Sequence, residues 1–216
     1  MEIYLDTANL EEIEHVMQLP MLDGVTTNPS ILSKQNLQPK AIMKEINQRV
    51  DGKVWYQLTK DKSEEMVNEA LEIVELLDHP VIKLPMGIEA LKACSVLTKQ
   101  GIETNMTLVF SVSQAILAAK AGATYVSPYI GRMNDIGLEG LQFIEDTVNV
   151  FKAQEMSTKV IGASIRSNHD VVAIASRGAK AATMSLKVFK QMLEHPMTDK
   201  GLVQFSEDWN VYQNRL

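Results

Sequence analysis

Hydrophobic and polar positions follow two alternating patterns along this chain. Eight short runs rich in apolar or β-branched residues predict strands, at Ile3–Asp6, Gly24–Thr27, Val54–Leu58, Val81–Leu84, Glu103–Met106, Tyr125–Pro128, Val160–Ala163 and Ala182–Met184. The segments between these runs predict helices, most clearly 63–77, where apolar residues recur at helical spacing opposite a Glu-rich face. Three of these helices are predicted to end at a glycine just before a strand, at Gly101, Gly122 and Gly178.

Eight strands alternating with helices predict an α/β protein, a (β/α)8 TIM barrel formed by residues 1–216 as a single domain. The alternative is a doubly wound open sheet. Its dinucleotide-binding version is disfavoured because no Gly-x-Gly-x-x-Gly follows the first strand. An extra helix is predicted at about 198–214, with Phe205, Trp209 and Tyr212 near one stripe. We expect that helix to cover the barrel or a neighbouring subunit.

Lys83 lies inside one of the apolar runs, between Ile82 and Leu84. An unpaired ammonium in a low-dielectric interior is very costly, and losing its proton is one way to avoid that cost. The resulting neutral amine is a nucleophile that attacks carbonyl groups and forms Schiff bases. The alternative is a lysine at a strand end that extends to solvent or pairs with a carboxylate.

Polar side chains share one parity near the carboxyl ends of the predicted strands. Because side chains alternate between the two faces of a strand, this parity marks one face, which we expect to be the barrel lumen. The polar residues assigned to it are Asp6, Thr26, Asn28, Gln57, Lys83, Asn105, Thr107, Ser127, Tyr129, Ser164 and Arg166. A single Thr, Asn or Ser at a loop start is typical of a helix cap. Seven strands with the same feature instead indicate an active site, since barrel enzymes keep their chemistry at this end.

Asp6 is the only carboxylate in this set, so it is predicted to be the acid/base group. Gln57, Thr107 and Tyr129 have the donors and acceptors to orient a water molecule. The phenol of Tyr129 can also carry a proton itself.

Arg132, Ser164 and Arg166 are predicted to bind an anion, and a phosphate suits them because guanidinium groups offer paired donors. Arg132 by itself is equally compatible with a plain surface arginine.

Composition narrows the function classes further. Hydrophobic residues make up 45% of the 216, which is enough for a sizeable core. The net charge of −6 argues against nucleic acid or an anionic membrane as partner, and no apolar run approaches the ~20 residues of a membrane span. Cys94 is the only cysteine, which predicts a reducing, cytoplasmic location. The four histidines do not cluster with acidic residues at ligand spacing, so no metal site is expected.

The chain resembles the small transaldolase/fructose-6-phosphate aldolase family over essentially its whole length. The matching stretches are 5–9, 24–30, 81–85, 107–111, 127–132, 163–166, 195–199 and 207–209. This resemblance implies a class I aldolase with a (β/α)8 barrel, a Schiff-base lysine on the fourth strand and a homodecamer built from two pentamer rings.

The resemblance also implies a role for each matching residue. Lys83 would form the Schiff base and Asp6 would transfer protons. The hydroxyls of a dihydroxyacetone fragment would be held by Thr26, Asn28, Asn105 and Ser127, and the phosphate by Arg132, Ser164 and Arg166.

Two positions distinguish the branches of that family. Transaldolases are similar to one another in having Glu and Phe where this chain has Gln57 and Tyr129, and the aldolase branch is similar to this chain at both. A phenol beside the lysine can protonate the enamine that follows cleavage, and Phe cannot. Asn105 and Arg166, however, resemble the transaldolase branch.

The main expectation is therefore a cofactor-free aldolase that splits fructose 6-phosphate into dihydroxyacetone and glyceraldehyde 3-phosphate. The alternative is a transaldolase of the pentose phosphate pathway that moves the three-carbon unit to erythrose 4-phosphate. A related sulfosugar enzyme, a barrel that binds sugar phosphates or a protein partner without turnover, and deoxyribose-phosphate-type aldol chemistry are further alternatives.

Overall fold

The computed structural model describes residues 1–16 and 18–215, and its strands form a closed parallel barrel in chain order. The strands are β1 (Glu2–Asp6), β2 (Gly24–Thr26), β3 (Lys53–Gln57), β4 (Pro80–Pro85), β5 (Glu103–Val109), β6 (Tyr125–Pro128), β7 (Lys159–Gly162) and β8 (Ala181–Met184). Pairing of β1 with β8, with Ile3 opposite Ala182, closes the barrel. The predicted (β/α)8 barrel is confirmed, and the open-sheet alternative is wrong.

Helices follow the strands on the outside of the barrel. They are α1 (Leu10–Val16), α2 (Pro29–Leu32), α3 (Pro39–Asn47), α4 (Ser63–Val74), α5 (Ile88–Lys99), α6 (Val112–Lys120), α7 (Ile130–Asp135), α8 (Gly140–Ala153), α9 (Asn168–Ser176), α10 (Leu186–Leu193) and α11 (Pro196–Gln213). Gly101, Gly122 and Gly178, just beyond α5, α6 and α9, have φ of 79°, 91° and 86°. Since that left-handed conformation favours glycine, the three predicted helix ends are confirmed.

A layer of large side chains fills the middle of the barrel lumen. The Trp55 ring lies between those of Tyr4 and Tyr125, with ring centroids 4.9 Å and 4.7 Å away. Val81 and Ile161 complete this cluster together with Ala181, and all six residues are buried. The layer separates a charged level at the amino ends of the strands from a polar level at their carboxyl ends.

Helix α11 follows the barrel and has no buried residue. The prediction of about 198–214 is close to its observed bounds. Phe205 and Trp209 are 73% and 58% exposed. No helix in the described part of the chain has the length and apolar character needed to cross a bilayer.

Candidate active site

A cavity opens at the carboxyl ends of the strands, where the polar parity predicted a site. It is lined by Asp6, Thr26, Asn28, Trp55, Lys83, Ser127, Tyr129, Arg132, Ile161, Ala163, Ser164 and Thr183. Eight of the twelve predicted site residues belong to this lining. The other four are Gln57, Asn105, Thr107 and Arg166, each of which lies next to a lining residue or on the loop that carries one.

Lys83 lies on β4 and is only 5% exposed. Its Nζ donates a hydrogen bond of 2.6 Å to the carbonyl oxygen of Thr27. None of the ion pairs formed within residues 1–16 and 18–215 includes this lysine. Burial lowers the pKa of Lys83, and the charge of Asp6 opposes that shift only in part. This lower pKa increases the fraction of the neutral amine, which is the nucleophilic form.

Asp6 ends β1 and shares the cavity with Lys83. Burial raises the pKa of its carboxyl group, opposed by the charge of Lys83 and by a hydrogen bond of 2.7 Å from Thr26 Oγ1 to Asp6 Oδ1. Burial thus shifts both Asp6 and Lys83 toward their neutral forms. Such a carboxyl group is suited to exchange protons with a substrate hydroxyl.

Thr183 was not predicted as a site residue, although it lines the cavity and its Oγ1 lies 2.5 Å from Thr26 Oγ1. A signal was present in the sequence. Thr183 has the same parity on β8 as Ala181, which faces the lumen.

Tyr129 and Thr107 form a hydroxyl pair at the edge of the cavity. Thr107 Oγ1 donates a hydrogen bond of 3.0 Å to the phenol oxygen. Burial raises the pKa of Tyr129, opposed mainly by that hydrogen bond, so the phenol stays protonated and can donate. Gln57 ends β3 and pairs in register with Lys83 on β4.

Asn105 and Ser127 lie on the opposite side of Lys83 from Gln57. Asn105 pairs in register with Lys83, and Ser127 Oγ donates a hydrogen bond of 2.9 Å to Asn105 Oδ1. The Nδ2 of Asn105 is buried with no hydrogen-bond partner among the described residues. Because a buried unpaired donor is destabilising, a ligand oxygen or a water molecule is the natural acceptor for it.

Asn28 has two roles. Its Oδ1 accepts a hydrogen bond of 3.0 Å from the Ile31 N–H and caps α2, while its side chain also lines the cavity. Asn28 is therefore a helix cap, as the alternative interpretation predicted, and it also belongs to the candidate site.

Ser164 lines the cavity, but strand parity does not explain its position. The lumen-facing residue of β7 is Ile161, so Ser164 has the opposite parity. Its φ of 59° turns the chain there, and the side chain joins the lining. The parity argument for Ser164 was therefore wrong, although the residue does line the cavity.

The two predicted arginines have different surroundings. Arg132 on α7 lines the cavity, and its guanidinium carbon lies 4.9 Å from the Tyr129 ring centroid, which is cation–π geometry. Arg132 is exposed but is not a plain surface arginine. Arg166 instead forms an ion pair with Asp135 and does not contribute to the lining.

Metal ligands do not cluster in the described ranges. No group of three or more His, Cys, Asp or Glu side chains within residues 1–16 and 18–215 is placed to hold an ion.

Comparison of the sequence with protein families gives a match to the "Transaldolase/Fructose-6-phosphate aldolase" family over residues 3–216. The chain belongs to this family. Similar curated proteins named "Probable transaldolase" occur in Thermoanaerobacter sp., Lactiplantibacillus plantarum and Methanococcus maripaludis, with identities of 47%, 46% and 45%. Each alignment covers at least 97% of both chains. The resemblance predicted from the sequence motifs is confirmed.

Solved structures share the fold of this family member at much lower identity. A flavocytochrome b2 variant with pyruvate bound superposes with a TM-score of 0.63 at 14% identity, covering 86% of this chain and 56% of the other. A thiamine phosphate pyrophosphorylase from Pyrococcus furiosus gives a TM-score of 0.59 at 13% identity, covering 85% of each chain. At these identities the similarity supports the barrel alone.

Proposed function

We propose that this protein is a Schiff-base enzyme of the transaldolase type. Lys83 takes a dihydroxyacetone unit from fructose 6-phosphate and passes it to an aldose phosphate such as erythrose 4-phosphate. The observation that carries the proposal is the burial of Lys83 without an ion-pair partner in the described part of the chain, which lowers its pKa. The name shared by the curated relatives supports transfer as the reaction.

The bond changes use Lys83 and Asp6 in turn. The Lys83 amine adds to the ketose carbonyl carbon, and loss of water gives the Schiff base. Asp6 removes the proton from the C4 hydroxyl of the ketose, whose C2 carries the Schiff base. The C3–C4 bond then breaks, and the electron pair of that bond moves toward the Schiff-base nitrogen. Glyceraldehyde 3-phosphate leaves and an enamine remains on Lys83. Attack of the enamine on an aldose carbonyl forms a new carbon–carbon bond, and Asp6 returns its proton to the new hydroxyl. Addition of water to the Schiff base that results then releases the new ketose and regenerates the Lys83 amine.

The polar residues around Lys83 are proposed to hold the three-carbon unit. The unpaired Nδ2 of Asn105 offers a hydrogen bond to a substrate hydroxyl, and Ser127, Thr26 and Asn28 offer further polar groups within the same cavity.

Arg132, Ser164 and Arg166 are proposed to bind the phosphate. A sulfonate presents similar acceptor oxygens, so a sulfonated ketose is the donor to assay alongside fructose 6-phosphate.

A second reaction, cleavage of fructose 6-phosphate with release of dihydroxyacetone, is favoured by Gln57 and Tyr129. The Tyr129 phenol lines the same cavity as Lys83, stays protonated through burial, and receives a hydrogen bond from Thr107. Protonation of the enamine carbon by this phenol, followed by addition of water to the Schiff base, would free dihydroxyacetone and regenerate the Lys83 amine.

A coupled assay separates the two reactions. The enzyme is given fructose 6-phosphate alone and then with erythrose 4-phosphate, and both glyceraldehyde 3-phosphate and free dihydroxyacetone are measured. Product that appears only with acceptor supports transfer. Equal molar release of both products without acceptor supports cleavage and overturns the transferase proposal. Absence of product in both assays argues against fructose 6-phosphate as donor.

We also propose a cytoplasmic assembly of several copies, a decamer of two pentamer rings, in which α11 contacts a second copy. The exposed Phe205 and Trp209 on α11 support a contact of this kind. Light scattering of the purified protein measures the mass, and a monomer would exclude the assembly.

A further inference from the structure

We propose that Asp135 is a positioning residue for the anion subsite, holding one edge of the Arg166 guanidinium so that its Nε edge faces the bound anion. This inference rests on the proposed function, because it assigns an anionic substrate group to that subsite. It adds a residue that neither the sequence motifs nor the strand parity predicted.

The contact between Arg166 and Asp135 is bidentate. Nη1 donates to Oδ1 at 2.6 Å and Nη2 donates to Oδ2 at 2.5 Å, across 31 residues of sequence. Such paired, charge-assisted hydrogen bonds fix the plane of the guanidinium as well as its position. Asp135 is the last residue of α7, the same short helix that carries Arg132. The pair thus connects the two arginines proposed to bind the anion.

The opposite edge of Arg166 lies near Ser164. If Gly131 carried a Cβ, that atom would lie 2.3 Å from the Ser164 carbonyl oxygen, 2.7 Å from Ser164 Oγ and 2.9 Å from Arg166 Nε. A side chain at position 131 would collide with Ser164 and Arg166, so glycine there allows the Ser164 hydroxyl and Arg166 Nε to lie close together beside the start of α7. Ser164 itself lines the cavity.

The geometry of the Arg166 guanidinium determines which N–H groups contact Asp135 and which stay available for an anion. Five N–H groups point outward in a planar fork, and an end-on pair with a carboxylate uses one from each Nη. The Nε–H and the remaining Nη hydrogens stay available. With Asp135 on one edge and Ser164 near Nε, an anion held by Ser164 can receive the remaining donors without breaking the Asp135 contact.

Charge and positioning predict opposite effects of losing the Asp135 carboxylate. By charge alone, removing a negative group near an anion subsite strengthens anion binding. The Asp135 and Arg166 side chains are about half exposed, so solvent screens that repulsion. A released Arg166 side chain, in contrast, must be ordered again each time the anion binds. We therefore expect the loss of positioning to dominate.

The test is Asp135→Asn, with Glu72→Gln as the matched control, because Glu72 forms a similarly exposed ion pair with Lys40 on other helices. We expect KM for fructose 6-phosphate to rise about tenfold in Asp135→Asn, with kcat little changed, and to stay constant in Glu72→Gln. Schiff-base trapping by borohydride with unphosphorylated dihydroxyacetone should be unaffected in both variants.

A decrease in KM for Asp135→Asn would mean that Asp135 competes with the anion. An unchanged KM with a lower melting temperature would mean a purely structural pair. Either result overturns the inference.

A binding measurement separates this inference from the proposed reaction. Inorganic phosphate should raise the melting temperature of the wild-type protein, and this shift should shrink in Asp135→Asn but not in Glu72→Gln. No shift in the wild-type protein contradicts the anion subsite. If the shift depends on Asp135 while borohydride traps no substrate on Lys83, the proposed function fails and the positioning role stands.

Discussion

The two ends of the barrel lumen contain the same residue types in opposite states. At the amino ends of the strands, Lys159 donates to Glu2 at 2.5 Å and Lys53 donates to Glu103 at 2.6 Å. The Tyr125 phenol donates to Glu2 at 2.7 Å and accepts from Lys53 at 2.9 Å. Lys159 and Lys53 thus each have a carboxylate partner.

At the carboxyl ends, Lys83 instead donates to the carbonyl oxygen of Thr27, and Asp6 influences it without forming an ion pair. The pKa values of the lysines at the two ends are shifted in opposite directions. Burial lowers the pKa of Lys83, whereas hydrogen bonding to Glu2 raises that of Lys159. For Lys53, burial opposes the shift, but hydrogen bonds to Glu103 and Tyr125 together raise the pKa.

The comparison teaches that the pKa of a lysine in this barrel lumen depends on how deeply the amine is buried and on whether a carboxylate is its hydrogen-bond partner. A carboxylate within hydrogen-bonding distance preserves the ammonium, and a carbonyl oxygen in a buried site does not compensate the charge. The aromatic layer around Trp55 keeps the two levels apart.

The strongest test of this contrast replaces one lysine from each end. Lys83→Met should lower turnover by about 10⁴-fold or more and abolish Schiff-base trapping, because no other amine is proposed to form the adduct. Lys159→Met should keep both trapping and turnover. Mass spectrometry after borohydride reduction checks the modified residue, and a substrate adduct in Lys83→Met would contradict the assignment.

Asp6→Asn tests the acid/base group beside Lys83. Because an amide cannot accept the hydroxyl proton, kcat should fall by about 10² to 10³-fold while the Schiff base still forms. Steady-state kinetics measures the first effect and borohydride trapping the second. A kcat within a few-fold of wild type would exclude this role.

The same variant shifts the pH dependence of Schiff-base formation. The negative charge of Asp6 raises the pKa of Lys83, partly offsetting burial, so removing it favours the neutral amine at lower pH. The acid limb of the trapping rate with dihydroxyacetone should therefore move to lower pH in Asp6→Asn. Movement to higher pH would show that the coupling has the opposite sign.

Tyr129→Phe tests whether the phenol at the carboxyl ends of the strands protonates the enamine. Without the phenol, release of dihydroxyacetone in the absence of acceptor should fall by about 10 to 100-fold, and transfer to erythrose 4-phosphate should be less affected. The ratio of the two rates in the coupled assay is the measurement. An equal loss of both would assign Tyr129 to binding rather than to protonation.

The smallest expected effect concerns the ion pair between Lys159 and Glu2 at the amino ends of the strands. Lys159→Met leaves the Glu2 carboxylate without one of its partners and should lower the free energy of unfolding by about 1 to 2 kcal/mol, since the pair is partly exposed. Several hydrogen bonds, including that from Lys159, together outweigh burial and hold the pKa of Glu2 below its usual range. The difference from wild type should therefore shrink as pH falls through that pKa, which urea denaturation at several pH values checks. A constant difference in acid would mean that lost packing, rather than lost pairing, causes it.

Predictability from the sequence differed between strand residues and loop residues. Asp6, Lys83 and Ser127 lie on strands, and the period of two assigned them to the lumen as the structure has them. Ser164 and Arg166 lie beyond a strand, where a residue at positive φ breaks that period. Neither the turn at Ser164 nor the partner of Arg166 has a periodic signal.

The sequence by itself determined the eight strands, the helices between them, the three glycine helix ends and the polar character of one end of the barrel. These features depend on spacing between near neighbours, which burial and backbone geometry impose locally. The tertiary structure decided which groups meet. Closure of β1 on β8 brought Thr183 to Thr26, and the positions of the loops paired Arg166 with Asp135. Packing between residues far apart in the chain buries Lys83, which lowers its pKa, and leaves Asn105 Nδ2 without a partner among the described residues. A linear pattern does not contain that packing.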